Sequence, residues 1–252
     1  MIEKIDIKNT DITKLDINKS NIEIITVAKV GTAFFSSIFK KTHHHDIDRI
    51  DNLVNNNTYT KLIISGIRNP IDRNISYFFE TSNMNIAPPK LKINNYKYIS
   101  DTFVCNNDDL NNMDTDVLIN IFFQKKYHNT FNIWFEEFFD ITKIDSIDFD
   151  IEQGIQLYKI NEHTYILFYV LEKLDLNINI IKKFLNYQDI YNNYNNTSNK
   201  KIADRYIDFK KKINIKDEYK QNLLNTDIMK KFYSEKDING FYNKYIYTPS
   251  DI

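Results

Sequence analysis

The sequence predicts an α/β protein, in which helices cover both faces of a central parallel sheet (a three-layer α/β/α arrangement), followed by a mostly helical C-terminal part. Two apolar runs, residues 22–28 and 61–67, each end in a polar turn that precedes an amphipathic helix. Strands that alternate with helices are typical of parallel sheets with right-handed crossovers. A hydrophobic content of 42% is ample for one packed core, so we expect a single domain over residues 1–252.

The elements follow in order from the pattern of apolar residues. Residues 1–20 repeat Asp, Ile and Lys, which indicates an edge strand or a low-complexity leader. Residues 22–28 predict a central parallel strand and 33–40 the helix after it. The remaining expectations are a polar connection (42–59), a strand (61–67), a helix (71–80), an irregular insertion (81–116), helices (117–124 and 131–139), a strand (165–171), a helix (178–185), a polar linker (188–200) and a helical C-terminal region (202–245).

Composition excludes several classes of function. There are 33 Lys and Arg against 34 Asp and Glu, giving a net charge of −1, which argues against non-specific binding of nucleic acid. The lone cysteine, Cys105, rules out an intrachain disulfide framework and a multi-thiolate zinc site. Because we find neither a long apolar run nor a signal-peptide pattern, we expect a soluble cytoplasmic protein without a transmembrane segment. The sequence leaves the oligomeric state open.

The first polar turn, Lys29-Val30-Gly31-Thr32, has the features of an anion site. Glycine permits tight curvature at a strand end, and the first N–H groups of the next helix lack partners within that helix. The expected contacts are Lys29, the Thr32 hydroxyl and the amides of Val30, Gly31, Thr32, Ala33 and Phe34. The Gly-x4-Gly-Lys-Ser/Thr spacing of nucleotide triphosphatases is absent. An ordinary turn with a solvated lysine is the other interpretation.

The second polar turn begins with Arg68-Asn69-Pro70, and Ser76 follows about two helical turns later. Arginine binds phosphate with two parallel hydrogen bonds, so Arg68 and Ser76 are predicted to hold one anionic group. Arg73 has acidic neighbours and is expected to be structural. A capped helix with a surface arginine is the alternative.

Together the two motifs resemble the signatures of the sulfotransferases that use 3'-phosphoadenosine 5'-phosphosulfate (PAPS). In that family a Lys-x-Gly-Thr/Ser-Thr/Ser loop holds the 5'-phosphosulfate, and Arg-Asp-Pro-x-x-Arg-x-x-Ser holds the 3'-phosphate. The resemblance implies a P-loop-like sulfotransferase fold, PAPS as the donor, no metal, and a catalytic role for Lys29. Ala33 and Asn69 depart from the pattern: Ala33 removes a hydroxyl donor, and Asn69 replaces an aspartate.

The chain is also similar to a bacterial branch of capsular polysaccharide synthesis proteins. Residues 29–32, 43–45, 134–137 and 171–174 correspond to that branch's Lys-Val-Gly-Ser/Thr, His-rich, Trp-Phe-acidic and Leu-Glu-x-Leu segments. The resemblance is most specific over residues 22–80 and less specific over residues 117–186 and 232–236. The similarity implies that a carbohydrate hydroxyl is the acceptor. We expect residues 42–58 and 81–116, which have the least sequence pattern, to shape the acceptor site.

His43, His44 and His45 follow the first helix, where sulfotransferases with sugar acceptors often place a catalytic base. In an extended segment His43 and His45 share a face, and we expect His45, then His43, to be the base. A solvated loop and a metal-binding cluster are the other interpretations, and Glu136-Glu137 could supply a base instead. His128 and His163 are expected to be structural.

Two other functions are compatible with these motifs. One is a catalytically inactive sulfotransferase fold that binds a nucleotide or a glycan, which Ala33 and the uncertain base keep open. The other is a nucleotide-dependent kinase, against which the missing P-loop spacing and the lack of an acidic magnesium motif argue.

Overall fold

The structure is a computed structural model that describes residues 2–83, 113–124, 126–187 and 203–245. Two compact units divide the chain, and neither is continuous in sequence. The first unit comprises Met1–Arg68, Phe131–Tyr194 and Asp227–Ser234. The second comprises Asn69–Thr130, Asn195–Thr226 and Glu235–Ile252.

A mixed sheet lies in the first unit, with its described strands in the order β1-β4-β5-β3-β2. These strands are β1 (Glu3–Ile5), β2 (Ile22–Ile24), β3 (Lys61–Ile67), β4 (Ile155–Asn161) and β5 (Thr164–Val170). β2, β3 and β5 are parallel, whereas β4 is antiparallel to β5 and β1 is antiparallel to β4. The predicted α/β class is confirmed. The predicted parallel strands are confirmed at the centre of the sheet, but the sheet as a whole is mixed, because a tight turn at residues 162–163 folds β4 and β5 into a hairpin.

The helices of the described chain, labelled in order, are α1 (Thr32–Phe39), α2 (Ile47–Asn55), α3 (Pro70–Asn83), α4 (Thr115–Gln124), α5 (Thr130–Thr142), α6 (Leu174–Leu185), α7 (Ala203–Lys212), α8 (Asp217–Leu224), α9 (Asp227–Phe232) and α10 (Glu235–Asn243). Helices α3, α4, α7, α8 and α10 form the second unit, where α4 packs on α7 and α8 packs on α3 and α10. The predicted helical character of 202–245 is therefore confirmed for 203–245.

Helices cover both faces of the sheet in the first unit. Alternate residues of a strand point to opposite faces, so β5 contributes to two separate cores. Leu167 packs with the aromatic residues of α1 and with α6 on one face. Phe168 contacts Phe135 and Phe138 of α5 and Phe232 of α9 on the other, at ring-centroid distances of 4.7–6.2 Å.

The first predicted strand is shorter and lies elsewhere than expected. β2 is three residues long and lies at the edge of the sheet, not at its centre. Its outer edge is nevertheless covered, because the His44 N–H donates to Ile24 O at 2.9 Å and the Thr26 N–H donates to His44 O at 3.1 Å. β1, by contrast, confirms an edge strand within residues 1–20.

The polar connection predicted over residues 42–59 contains helix α2. Asp46 caps this helix by accepting a hydrogen bond from the Asp48 N–H at 3.0 Å. Ile47, Ile50 and Leu53 follow at three-residue intervals and are buried. This spacing was the signal for a helix, and the many Asn and Asp residues around it obscured it.

Two predicted connections fall largely outside the described residues. For the insertion at 81–116, α3 continues through Asn83 and α4 begins at Thr115, so both described ends are helical. Residues 84–112 lie outside the described chain, as does the predicted linker at 188–200.

Candidate functional site

The turn between β2 and α1 has the backbone geometry of an anion-binding loop. Lys29 and Gly31 have φ of +72° and +89°, whereas Val30 between them is not in the positive-φ region. Alternation of this kind makes successive N–H groups converge on one concave surface. A Cβ on Gly31 would also lie 2.5 Å from Leu171 Cδ1, so position 31 requires glycine on both counts.

Three carbonyl groups of this turn accept hydrogen bonds from side chains of other elements in the first unit. The donors come from the segment after α1, from the end of β3 and from β5. The pairs are His45 Nδ1 with Thr26 O at 2.7 Å, Arg68 Nη1 with Lys29 O at 3.1 Å, and Tyr169 Oη with Val30 O at 2.9 Å. The turn is therefore held from one side through its carbonyl oxygens.

The amides of the same turn remain available. In the described chain the N–H groups of Val30, Gly31, Thr32 and Ala33 have no acceptor. The Phe34 N–H donates to Gly31 O at 3.1 Å, so the prediction that it binds the ligand is not supported. The four available amides lie at the positive end of the α1 dipole, beside the half-buried side chain of Lys29.

Arg68 connects the two sequence motifs. It leaves the carboxyl end of β3, and its guanidinium reaches the backbone of Lys29. The carboxyl ends of parallel β2 and β3 thus bring Arg68 and the Lys29 turn together, as the two motifs predict. Ser76, the other predicted residue of the second motif, is a buried residue of α3 and belongs to the second unit.

Asn69 has a structural reason to differ from aspartate. Its Oδ1 accepts a hydrogen bond from the Ile71 N–H at 2.9 Å, which caps the start of α3. Its Nδ2 donates to Asp72 Oδ2 at 3.1 Å. An aspartate at position 69 would place a second carboxylate against Asp72, so the amide is the better cap here.

Asp72 is the centre of a buried charged cluster in the second unit. Its carboxylate accepts hydrogen bonds from Lys210 at 3.0 Å, from Lys244 at 2.6 Å and from the Tyr245 hydroxyl. Burial alone would raise the pKa of Asp72, but the two lysine charges outweigh it and lower the pKa well below its usual range. Arg73, expected to be structural, is likewise buried, and its Nη1 donates to Asn74 Oδ1 at 2.9 Å.

The histidine segment lies beside the anion-binding turn. The rings of His43 and His45 are 5.0 Å apart between centroids, so the two residues share a face as predicted. His43 Nδ1 lies 3.2 Å from Ser36 Oγ of α1, whereas His44 uses its backbone to extend the sheet edge. No three His, Cys, Asp or Glu side chains of the described chain are grouped to hold a metal ion.

The contact with Thr26 fixes the tautomer of His45. A carbonyl oxygen can only accept, so Nδ1 carries the proton and, in the neutral ring, Nε2 carries the lone pair. The backbone of His45 is held as well, because Trp134 Nε1 of α5 donates to His45 O at 3.3 Å. His45 therefore has the tautomer and the anchoring that a general base requires.

The alternative base pair lies on α5. Glu136 is exposed and Glu137 is half-buried. Burial raises the pKa of Glu137, and the negative charges of Asp48 and Glu136 raise it further. Among the described residues, neither glutamate side chain forms a hydrogen bond or an ion pair with the turn at 26–31.

The two remaining histidines have structural surroundings. His128 is buried in the second unit, with ring-centroid distances of 4.5 Å to Phe122 and 5.1 Å to Tyr219. His163 lies in the β4–β5 turn, where its carbonyl accepts the Lys61 N–H at 2.9 Å.

Tyr169 is the site residue that the sequence did not reveal. Its strand was predicted at 165–171, but nothing in a single sequence shows that this tyrosine reaches the turn after β2. Gly66 within an apolar strand was a partial signal, because such a glycine marks a close approach of another group. Its partner is the ring of Tyr169.

Comparison with protein-family models, with curated proteins and with solved structures gives no match for this chain. In the part of the chain that the structure describes, no helix has the length and apolar character needed to cross a membrane.

Proposed function

We propose that the chain is a sulfotransferase with a P-loop-like sulfotransferase fold, which uses PAPS as the donor and a carbohydrate hydroxyl as the acceptor. The observation that carries the proposal is the hydrogen bond from Arg68 Nη1 to Lys29 O, because it joins the two motifs of the resemblance at one end of the parallel strands. The available amides, the Lys29 ammonium and the Arg68 guanidinium fit a ligand with phosphate groups at two positions.

Each residue has a role in this proposal. Lys29 and the amides of residues 30–33 would hold the 5'-phosphosulfate, and Arg68 would hold the 3'-phosphate. PAPS would supply an activated sulfuryl group, whose S–O bond to phosphate breaks as the acceptor oxygen bonds to sulfur. Lys29 would stabilise the charge that grows on the phosphate oxygen, and His45 Nε2 would take the proton of the acceptor hydroxyl.

The geometry favours His45 over His43 as the base. The Nδ1–H of His45 donates to a backbone carbonyl, which leaves the lone pair on Nε2. The Nδ1 of His43 faces a hydroxyl that can donate or accept, so its tautomer is not fixed.

Ligand-induced stabilisation tests the proposal. Adenosine 3',5'-bisphosphate should raise the melting temperature more than ATP or AMP, with stabilisation of about 2.7 kcal/mol at a hundredfold excess over Kd. Arg68→Ala should abolish the preference for the bisphosphate over AMP. No response to the bisphosphate, or a preference that survives Arg68→Ala, contradicts the proposal.

Turnover provides the second arm of the test. Lys29→Ala should reduce sulfate transfer from PAPS to a responsive glycan by about a hundredfold or more, since it removes charge stabilisation in the transition state. Lys40→Ala is the matched control: Lys40 is an exposed lysine of the same unit, also with positive φ (+51°). Unchanged transfer by Lys29→Ala excludes this mechanism. Bisphosphate binding without transfer to any of a broad glycan panel favours the inactive binding module.

A further inference from the structure

Tyr169 of β5 is a fully buried tyrosine whose hydroxyl bonds to the backbone of the anion-binding turn. Its side chain has no exposed surface, and Oη donates to Val30 O at 2.9 Å. Burial raises the pKa of Tyr169 well above its usual range. The phenol therefore stays neutral and keeps its proton for this hydrogen bond.

Gly66 provides the space for this contact. β3 lies between β5 and β2 in the sheet, and Gly66 is the register neighbour of Tyr169. A Cβ on Gly66 would lie 2.5 Å from Cζ of the tyrosine ring. The ring thus passes over β3 at a residue without a side chain and reaches the turn that follows β2.

The geometry of the peptide group links this hydrogen bond to the ligand side of the turn. In a planar trans peptide the C=O and the N–H point in opposite directions. The Val30 carbonyl and the Gly31 amide belong to one peptide group, so the bond from Tyr169 also sets the direction of the Gly31 N–H. That amide has no acceptor among the described residues.

We propose that Tyr169 is a positioning residue for anion binding: by holding the Val30 carbonyl, it keeps the Gly31 amide directed at the anionic group of the ligand. The inference rests on the proposed function only for the identity of that ligand. A turn free to rotate this peptide would present a carbonyl oxygen to the anion, which repels it. The fixed peptide binds the anion without reorganisation, which is the condition for strong electrostatic stabilisation.

Isotope labelling can observe this single peptide group. Of the four glycines only Gly31 follows a valine, so protein labelled with carbonyl-13C valine and 15N glycine gives one correlation, from the Val30–Gly31 peptide. In the wild type, inorganic sulfate and adenosine 3',5'-bisphosphate should each shift the Gly31 amide. Without ligand, this amide should exchange rapidly with solvent.

Tyr169→Phe is the test variant, because it removes the hydroxyl and keeps the ring. We expect it to shift the Val30 carbonyl resonance in the free protein and to weaken binding of both anions about fivefold to tenfold. Tyr158→Phe is the matched control: Tyr158 is a fully buried tyrosine of neighbouring β4, and its hydroxyl has no partner in the described chain. The control should leave the Val30–Gly31 resonances and both affinities unchanged.

Clear outcomes overturn the inference. A positioning role for Tyr169 is excluded if Tyr169→Phe binds both anions as tightly as the wild type does. It is also excluded if Tyr169→Phe and Tyr158→Phe lose equal amounts of anion affinity. A positioning role is also excluded if the Gly31 amide resonance of the wild type does not shift with either anion, or if this amide is already protected from exchange without ligand. This outcome is measured on the wild type alone, so it does not depend on the folding of a variant. If only the proposed function fails, sulfate still shifts the Gly31 amide resonance and Tyr169→Phe still weakens sulfate binding. In that case the protein binds the bisphosphate no more tightly than AMP.

Discussion

Gly31 and Gly66 both stand at strand ends, yet they are required for different reasons. Gly31 has a φ of +89°, which side-chain-bearing residues rarely adopt. Gly66 is not in the positive-φ region, and what it provides is space for the Tyr169 ring. Backbone geometry therefore requires glycine only at position 31.

This difference makes Gly66→Ala an informative substitution. The added methyl group would overlap the Tyr169 ring within a packed core, so we expect a loss of about 1–3 kcal/mol in the free energy of unfolding. Displacement of the ring should also weaken sulfate binding, as Tyr169→Phe does. Urea denaturation and a sulfate titration measure the two effects.

Gly240→Ala is the control for this substitution. Gly240 lies in exposed helix α10, and nothing stands within 4 Å of a Cβ placed there. Alanine should stabilise that helix by about 0.5–1 kcal/mol. Equal unfolding free energies for Gly66→Ala and the wild type would show that the ring has room to move.

Individual residues also mark how far the sequence could predict the site. The convergence of Lys29, Gly31 and Arg68 follows from two apolar runs that end in polar turns, a local pattern. The tautomer of His45 and the reach of Tyr169 depend on which strands are neighbours and on distances across the sheet. A single sequence does not contain that information directly.

At the scale of elements, α3 is anchored by charge as well as by apolar packing. Asp72, in its first turn, is buried and bonds to Lys210 of α7 and to Lys244 and Tyr245, which directly follow α10. An acid in the first turn of a helix also complements the helix dipole. Loss of this carboxylate would leave two lysines without their shared partner, and one of them is only 26% exposed.

Asp72→Asn should therefore destabilise the protein in a pH-dependent way. Near neutral pH we expect a loss of about 1–2 kcal/mol, less than for a fully buried ion pair, because the two lysines are 26% and 45% exposed and solvent screens their charges. Because folding lowers the pKa of Asp72 from its ordinary 3.8, the contribution is fully present above that pH and is lost as the pH falls below it. The difference in unfolding free energy between wild type and variant should shrink accordingly.

Denaturation curves at neutral pH, at about pH 4 and at about pH 2.5 check this dependence. Asp140→Asn is the control, since the Asp140 side chain is 82% exposed and its ion-pair partner in the described chain is exposed Lys143. Its denaturation midpoint should match that of the wild type throughout. A wild-type advantage over Asp72→Asn that stays constant with falling pH would assign the effect to packing instead of charge.

The sequence did not predict strand β4, and the burial pattern of this strand explains why. β4 has buried residues at Ile155, Leu157 and Tyr158 but half-buried polar residues toward its end, because it pairs with the short edge strand β1. Its apolar pattern is therefore incomplete, unlike those of β3 and β5, in which every residue is buried. Continuous burial produces continuous apolar runs, and these two strands were the ones predicted most closely.

At the scale of the whole molecule, the near balance of charges makes the anion site a local feature. With a net charge of −1, the chain carries no net positive charge that would attract a highly anionic nucleotide from a distance. Among the described residues of the site, Lys29, Arg68 and the α1 terminus attract the ligand, over distances comparable to the Debye length of about 10 Å at 0.1 M salt. Binding should therefore depend on contacts made after the ligand has arrived.

The salt dependence of the association rate distinguishes long-range electrostatic attraction from binding that depends on short-range contacts. We expect the association rate constant of adenosine 3',5'-bisphosphate to fall less than about threefold between roughly 0.05 and 0.3 M salt, because little electrostatic steering is present to be screened. Stopped-flow fluorescence measures it, with adenosine as the uncharged control. Lys29→Ala should raise the dissociation rate more than it lowers the association rate, since a short-range contact acts once the complex has formed. A tenfold or larger fall with salt in the wild type would instead require a basic surface far larger than one lysine and one arginine provide.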